Sequence, residues 1–265
     1  MTFEEVTRFR KVDDMYRGQV PEEWRQGRTA YGGLLAAAAI KAMKIELPPE
    51  RKLRHFSAQF VAAAAGDLEM KVTTLASGGS MTSKQAVIFS QGSPCTVVVA
   101  SFGSHRPVVN PVEASSVSPE DPGSLEVFPY IEGVTPNFTR FIDYRYTEGA
   151  YPFSGHSEAK LGGYCRHKTA AGSPEEASIG LLDAWPPAVL PLLHKPSPAS
   201  TVSWSAHFYD PPSVSLDEWW FYRAEAVRYD EGYATTKAHL HAPDGRLVAW
   251  SEQLVSVYEK GTPNC

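Results

Sequence analysis

The sequence predicts an α+β fold made of two tandem copies of one unit, each a long buried helix wrapped by an antiparallel sheet. Three observations predict it. Residues 27–44, GRTAYGGLLAAAAIKAMK, are apolar on every side after Gly32 and Gly33, which marks a helix with little surface for solvent. Runs of alternating polarity, divided by Gly- and Pro-containing turns, fill most of the remaining chain. The pentapeptides FSAQF (56–60) and WSAHF (204–208) occupy matching places in two successive rounds of helix and strands.

In chain order, Phe9 to Val20 reads as a first strand. The buried helix follows, and the two glycines at its start let another chain or a ligand approach the backbone. Its first N–H groups have no partner inside the helix, so that end can hold a partial negative charge. Pro48 and Pro49 stop it. His55 to Val61 then alternates, with Phe56, Ala58 and Phe60 on one face and Ser57 and Gln59 on the other. Leu68 to Leu75, Thr82 to Ser90 and Cys95 to Phe102 complete a meander, separated by Ser77-Gly78-Gly79 and Gly92-Ser93-Pro94.

From Pro107 to Pro136 six prolines break any regular element, with a polar, Ser-rich stretch from Glu113 to Gly123. This is the connector, so the expected division is 1–106, a linker at 107–136, and 137–265. The second round begins with a strand at Phe138 to Tyr146, a loop at Tyr151 to Ser157 and a strand at Lys160 to His167. Ser173-Pro174-Glu175-Glu176 is a capping box with Pro at the first helical position, and it opens a helix running to Trp185 before Pro186 and Pro187. Thr201 to Tyr209, Glu218 to Tyr229, Tyr233 to His241 and Arg246 to Tyr258 are strands, with turns at Asp230-Glu231-Gly232 and Pro243-Asp244-Gly245. Strand, long buried helix and wrapping meander are the hot-dog arrangement, and two in one chain make a double hotdog. A lone unit would leave a sheet edge and a sheet face uncovered, so a paired arrangement is the physical expectation.

Composition excludes several classes of function. The chain carries 25 Lys and Arg against 30 Asp and Glu, scattered singly, and its net charge of -5 offers no basic stripe to nucleic acid or a membrane surface. The charged N-terminus MTFEEVTRFRKVDD is not a secretory signal, and no apolar run is long enough to span a bilayer, so a soluble cytoplasmic protein is expected. Cys95, Cys165 and Cys265 are odd in number and far apart, which argues against a disulfide framework or a zinc site. The sequon Asn137-Phe138-Thr139 is then a chance match.

Three side chains stand out as candidates for chemistry. Asp183 sits among Leu181, Leu182, Ala184 and Trp185 at the end of a helix, where the macrodipole disfavours negative charge, so its carboxylate needs partners or solvent. Gln253 shares a strand face with Leu247, Ala249, Ser251, Val255 and Val257, so its half-buried amide needs hydrogen bonds. It could orient a water or a carboxylate, or simply bond to backbone. Thr201 falls on the face opposite Val202, Trp204 and Ala206, and taken alone is an ordinary β-branched strand residue.

PASTVSWSAHFYDPP, DEWWFYRAEA and GYATTKAHLHAPDGRLVAWSEQ together resemble the C-terminal unit of the acyl-CoA thioesterase II family. GRTAYGGLLAAAAIKAM resembles that family's N-terminal helix, and LGGYCRHK its strand ahead of the second helix. The resemblance covers nearly everything outside the connector and is more specific in the second half. It implies a double-hotdog thioesterase acting on acyl-CoA without metal or redox cofactor, and a homo-oligomer formed as a dimer of double hotdogs. It also implies a water held by Asp183 in GLLDAWPP, Thr201 in ASTVSWS and Gln253 in VAWSEQ. Trp185, Pro186 and Pro187 directly after the Asp depart from the family's form, and Ser203 is a competitor for Thr201. Gly32 and Gly33 are the expected oxyanion donors, while Arg28, Arg54 and Lys84 are candidate contacts for the CoA phosphates. Carrying the repeat backwards puts Leu53 opposite Thr201 and Lys41 near the place of Asp183, so one site per chain is expected.

Other signals are weaker. Gly155-His156-Ser157-Glu158-Ala159 nearly spells a nucleophile elbow but ends in Ala and lacks the strand-to-helix context. His239 and His241 share a strand face without a third metal ligand nearby. The D-x-x-x-x-H spacing of hot-dog hydratases is absent. Trp219 and Trp220 must point to opposite faces, one into the core and the other toward an acyl tunnel or a subunit interface.

Overall fold

The structure, a computed structural model, describes residues 1–112, 114, 116–117, 122–169, 171–209 and 218–259. Cys265 and Pro119 therefore lie outside the described residues, as do residues 210–217. Strands β1 (Arg10–Val12) and β2 (Met15–Val20) precede helix α1 (Gly32–Lys44), and β3 (Lys52–Phe60), β4 (Gly66–Ser77), β5 (Met81–Ser90) and β6 (Ser93–Gly103) follow it. After the connector come β7 (Ile142–Gly149), β8 (Lys160–His167), helix α2 (Pro174–Leu182), β9 (Ala199–Phe208), β10 (Trp220–Asp230), β11 (Tyr233–His241) and β12 (Leu247–Val257).

These twelve strands join one antiparallel sheet, in the order β1-β2-β4-β5-β6-β3-β9-β12-β11-β10-β8-β7, and Arg25–Gln26 pairs with Thr29–Ala30 in a separate two-stranded ribbon. The two halves meet where β3 pairs with β9, Phe56 opposite Ala206, Ser57 opposite Ser205 and Ala58 opposite Trp204. The repeated pentapeptides are thus the seam of the molecule, crossing one another about a pseudo-twofold centred on the two serines. Each unit covers the other's central edge with main-chain hydrogen bonds, which removes the unpaired edge a lone unit would expose. This is a double hotdog.

The helices pack against each other on one face of this sheet, and their ends explain why these sequences sit there. In α1, Leu34 to Ile40 are all buried, so alanine supplies helix propensity while keeping the helix thin enough to lie between sheet and neighbour. The Lys41 ammonium meets Glu176 at 2.9 Å and Lys44 meets Glu175 at 2.6 Å, tying the C-terminal end of α1 to the N-terminal end of α2. Each charge is on the helix end its dipole favours.

Several expectations change in detail. The first strand breaks into a hairpin because Asp13 adopts a positive φ of 55°. Residues Asn137–Phe141 form a 3-10 turn, with Thr139 N–H on the Pro136 carbonyl, so β7 starts at Ile142 rather than Phe138. Only half of the capping box forms: the Ser173 hydroxyl accepts from the Glu176 N–H at 3.3 Å, whereas the Glu176 carboxylate turns to Lys41. Helix α2 ends at Leu182, and Asp183 is its cap residue. Trp220 is in the core as expected, and Trp219 packs against the guanidinium groups of Arg145 and Arg166, 4.3 and 4.5 Å from its ring centre. Cys95 and Cys165 are both buried free thiols.

Candidate active site

The N-terminal end of α1 and the C-terminal end of α2 meet, and the site is built on that meeting. Asp183 ends a helix whose own dipole opposes its charge, yet its Oδ2 accepts the Gly33 N–H at 2.6 Å. The positive end of one helix thereby offsets the negative end of the other. Close approach is required for this, and only glycine allows it. A methyl group on Gly33 would lie 2.8 Å from Tyr31 Cε2, 3.1 Å from Asp183 Cβ and 3.2 Å from the Gly180 carbonyl, and one on Gly32 would lie 2.6 Å from the Phe60 ring and 2.9 Å from Asp183 Oδ2.

The second carboxylate oxygen, Oδ1, accepts from Gln253 Nε2 at 2.6 Å, and Gln253 Oε1 accepts in turn from the Thr201 hydroxyl at 3.4 Å. The amide on β12 therefore finds its partners in side chains, not in backbone. Thr201, Gln253, Asp183 and the α1 N-terminus form one chain of hydrogen bonds spanning both halves of the molecule. Asp183, Thr201 and Gln253 are each only partly buried, so the cluster remains within reach of a ligand.

Thr201 reaches Gln253 because β9 is irregular. Its register against β12 slips at Val202, with Thr201 opposite Val255, then Ser203 opposite Leu254 and Trp204 opposite Gln253. The extra residue is a β-bulge, and beyond it the faces exchange. Thr201 consequently shares the face of Trp204 and Gln253, where strict alternation puts it on the opposite face. Ser203 goes to the other face with Leu254 and is not a competitor.

Burial pushes the Asp183 carboxyl up to about 7, against the two hydrogen bonds from Gly33 and Gln253 that favour the charged form. Desolvation wins, leaving a carboxyl poised near neutrality. Of the two expected oxyanion donors, Gly33 spends its N–H on Asp183, a correction that leaves Gly32 as the neighbouring N–H without a protein acceptor among the described residues. Of the three cations considered for CoA, Lys84 is only 4% exposed and cannot meet a phosphate in solvent, Arg54 is half-buried, and Arg28 is exposed just ahead of the α1 N-terminus.

The pseudo-twofold mate of this site has a different content. Leu53 is buried, with its N–H on Glu175 Oε2 at 3.4 Å, and Lys41 is paired with Glu176. The register slip recurs there between Leu53 and His55, so the backbone device is duplicated and only the side chains differ. Among the described residues no group of three or more His, Cys, Asp or Glu is placed to hold a metal ion, and no helix is long and apolar enough to cross a membrane. His239 and His241 have ring centres 6.3 Å apart on the face away from the helices.

Two hot-dog units sharing one sheet, with a single polar cluster between their helix ends, define the class as a double hotdog with one candidate site. Residues 20–103 match the model of the acyl-CoA thioesterase N-terminal domain, and residues 114–257 match that of the C-terminal domain. The chain belongs to the acyl-CoA thioesterase family. Among solved structures it is similar to a hot-dog-fold protein from Alicyclobacillus acidocaldarius, at 21% identity and a TM-score of 0.87, covering 99% of this chain and 98% of that one. It is also similar to the acyl-CoA thioesterase II TesB2 from Mycobacterium marinum, at 18% identity and a TM-score of 0.78, covering 98% of this chain and all of that one, 100%. At these identities the likeness concerns the fold. No curated protein sequence matches the chain.

Proposed function

We propose that the protein hydrolyses an acyl-CoA to the free acid and CoA, with Asp183, Thr201 and Gln253 holding the attacking water. The observation that carries this reading is the continuous hydrogen-bond chain from Thr201 through Gln253 to Asp183, which ends on a helix N-terminus. A thioester carbonyl is electrophilic and its thiolate leaves readily, so the reaction needs an oriented water and a base rather than a strong nucleophile. Each Asp183 oxygen accepts one protein hydrogen bond and keeps a lone pair for that water.

The water oxygen attacks the carbonyl carbon while Asp183 takes one of its protons, and Thr201 and Gln253 fix its direction of approach. Negative charge moving onto the carbonyl oxygen is stabilised by the Gly32 N–H at the positive end of α1. The C–S bond then breaks, the thiolate leaves, and the proton on Asp183 passes to thiolate or solvent. Arg28 meets the CoA phosphates. The same reading includes a cytoplasmic protein that pairs with a second copy of itself, which light scattering of the purified chain tests directly.

Thiol release from a panel of acyl-CoAs, short to long and aromatic, tests the activity. Turnover of at least one by the wild type, with a loss of about 10²- to 10⁴-fold in a folded Asp183→Asn variant, is expected. A wild type inert across the panel would replace the hydrolase by a binding protein of the same fold, and an unimpaired variant would remove Asp183 from the reaction.

A further inference from the structure

Four aromatic side chains lie near the Asp183 carboxylate, and three of them belong to the interior. Tyr31, Tyr144 and Tyr222 are 1%, 4% and 6% exposed. Tyr31 stacks on Phe138 with ring centres 4.1 Å apart, Tyr144 donates its hydroxyl to the Ala184 carbonyl at 2.9 Å, and Tyr222 stacks on Trp185 at 5.2 Å. Burial above all, and after it neighbouring groups that include Asp183, pushes all three hydroxyls above the ordinary tyrosine value, so they stay neutral while Asp183 titrates. Among the described residues no lysine, arginine, histidine or second carboxylate adds to this set: the carboxyl responds to burial, to the Gly33 N–H and to the Gln253 amide.

The fourth, Phe60, is half-buried and faces the solvent boundary. It is the last residue of β3, and the three residues after it, Val61, Ala62 and Ala63, are exposed. That segment is tied at both ends: Val61 N–H donates to the Cys95 carbonyl at 2.9 Å, Ala64 N–H to the Thr29 hydroxyl at 3.0 Å, and Ala30 N–H to the Ala64 carbonyl at 2.7 Å. Phe60 is thus carried on a strand end fastened to the residues just ahead of α1, beside the exposed Arg28. The place a methyl would take on Gly32 is 2.6 Å from Phe60 Cζ and 2.9 Å from Asp183 Oδ2. Ring edge and carboxylate oxygen are therefore no more than about 5.5 Å apart, less than the roughly 6.5 Å that a water between them would need. No water fits on that side of the carboxylate.

We infer that Phe60 is a positioning residue for the proposed reaction, a ring that holds water off the solvent side of Asp183 Oδ2 and so preserves the dry surroundings in which that carboxylate works. Its catalytic meaning rests on the reading of Asp183 as the base that takes a proton from the attacking water; the exclusion of water from the carboxyl does not. A carboxylate deprived of water binds a proton more tightly than a hydrated one, which makes it an effective base near neutral pH. The three tyrosines exclude water on the inner side, and Phe60 does so on the outer.

The test compares wild type with Phe60→Ala, Phe60→Thr and Phe60→Leu by two readouts. The first is the pH midpoint of kcat/KM for thiol release from an acyl-CoA. Alanine and threonine admit water and are expected to lower the midpoint by about one unit, whereas leucine, still an apolar cover, should leave it within about 0.3 unit. The second readout needs no catalysis: it is the stability gained on Asp183→Asn in each background, measured by urea unfolding at pH 5 and pH 8. That gain is expected to grow between the two pH values only about half as much with alanine or threonine at position 60 as in wild type. The penalty at pH 8 shrinks by the lost unit, while the penalty at pH 5, where the folded carboxyl is protonated, hardly changes. Threonine suits a strand end and keeps the comparison available if alanine costs the fold. An unchanged midpoint and unchanged stability growth in the folded variants overturn the shield while leaving the hydrolase intact. Halved stability growth in a protein that releases no thiol from any ester supports the shield and overturns the hydrolase. A midpoint lowered as far by leucine as by alanine overturns the shield.

Discussion

Asp183→Asn should change the stability of the protein in a way that depends on pH, because burial holds the folded carboxyl at about 7 against an ordinary value of 3.8. A carboxyl raised in the folded state binds its proton more tightly there than in the unfolded chain. Its penalty is absent below about pH 3.8, grows as pH rises, and is complete above about pH 7. A shift of about three units corresponds to about 4 kcal/mol, an upper figure because the side chain keeps partial solvent access. Asparagine retains an acceptor for the Gly33 N–H, and the Gln253 amide can turn its oxygen toward the new NH₂. The variant's advantage over wild type should therefore grow by about 2–3 kcal/mol between about pH 5 and pH 8. Urea unfolding at both pH values, followed by tryptophan fluorescence, measures it, and titrations common to both proteins cancel in the difference. A difference independent of pH, or one that shrinks as pH rises, would show that Asp183 is not held protonated by burial. The catalytic counterpart is a wild-type kcat/KM that climbs with pH through about 7, since only the carboxylate is a base.

Three further outcomes are expected. Gly33→Ala would gain about 0.5–1 kcal/mol from helix propensity, but the added methyl meets Tyr31, Asp183 and the Gly180 carbonyl, so urea unfolding should show a net loss of about 1–3 kcal/mol. Thr201→Val should lower kcat by about 10²-fold while Ser203→Ala leaves it within a factor of about three, because the bulge turns only Thr201 toward Gln253; equal effects would refute that placement. Arg28→Ala should raise KM for acyl-CoA about two- to fivefold, as one exposed charge pair allows, with no change for the thioester of a short thiol lacking phosphates.

The two ends of the helix pair hold their charges in opposite ways. At one end four charged side chains pair off in the arrangement both helix dipoles favour, which fastens α1 to α2. At the other, one carboxylate sits against its own helix dipole, held by a single N–H and an amide. The first arrangement suits stability. The second leaves a group whose charge is unsettled near neutral pH, which is what general-base chemistry requires.

Much of this architecture is legible in the sequence because it follows from local rules. Apolarity on every side of residues 34–43 specifies a buried helix, alternation specifies the strands, and Ser173-Pro174 specifies where α2 begins. The repeat of FSAQF and WSAHF marks corresponding strands, and the structure adds that these two strands are each other's partners. Asp183 and Gln253 announce themselves as polar groups in apolar company, so their need for partners is visible, though not the partners' identity. Tertiary structure alone decides the rest. A bulge at Val202 reverses the face of Thr201, and no count of alternating residues can register an extra residue whose position depends on the neighbouring strand. The Gly33 N–H lies 150 residues from the carboxylate it serves, and the approach of two helices determines that it meets Asp183 and leaves Gly32 free. Local sequence specifies which groups must be satisfied; only the packing of the two halves specifies by what, since hydrogen bonds and desolvation depend on distances in space rather than along the chain.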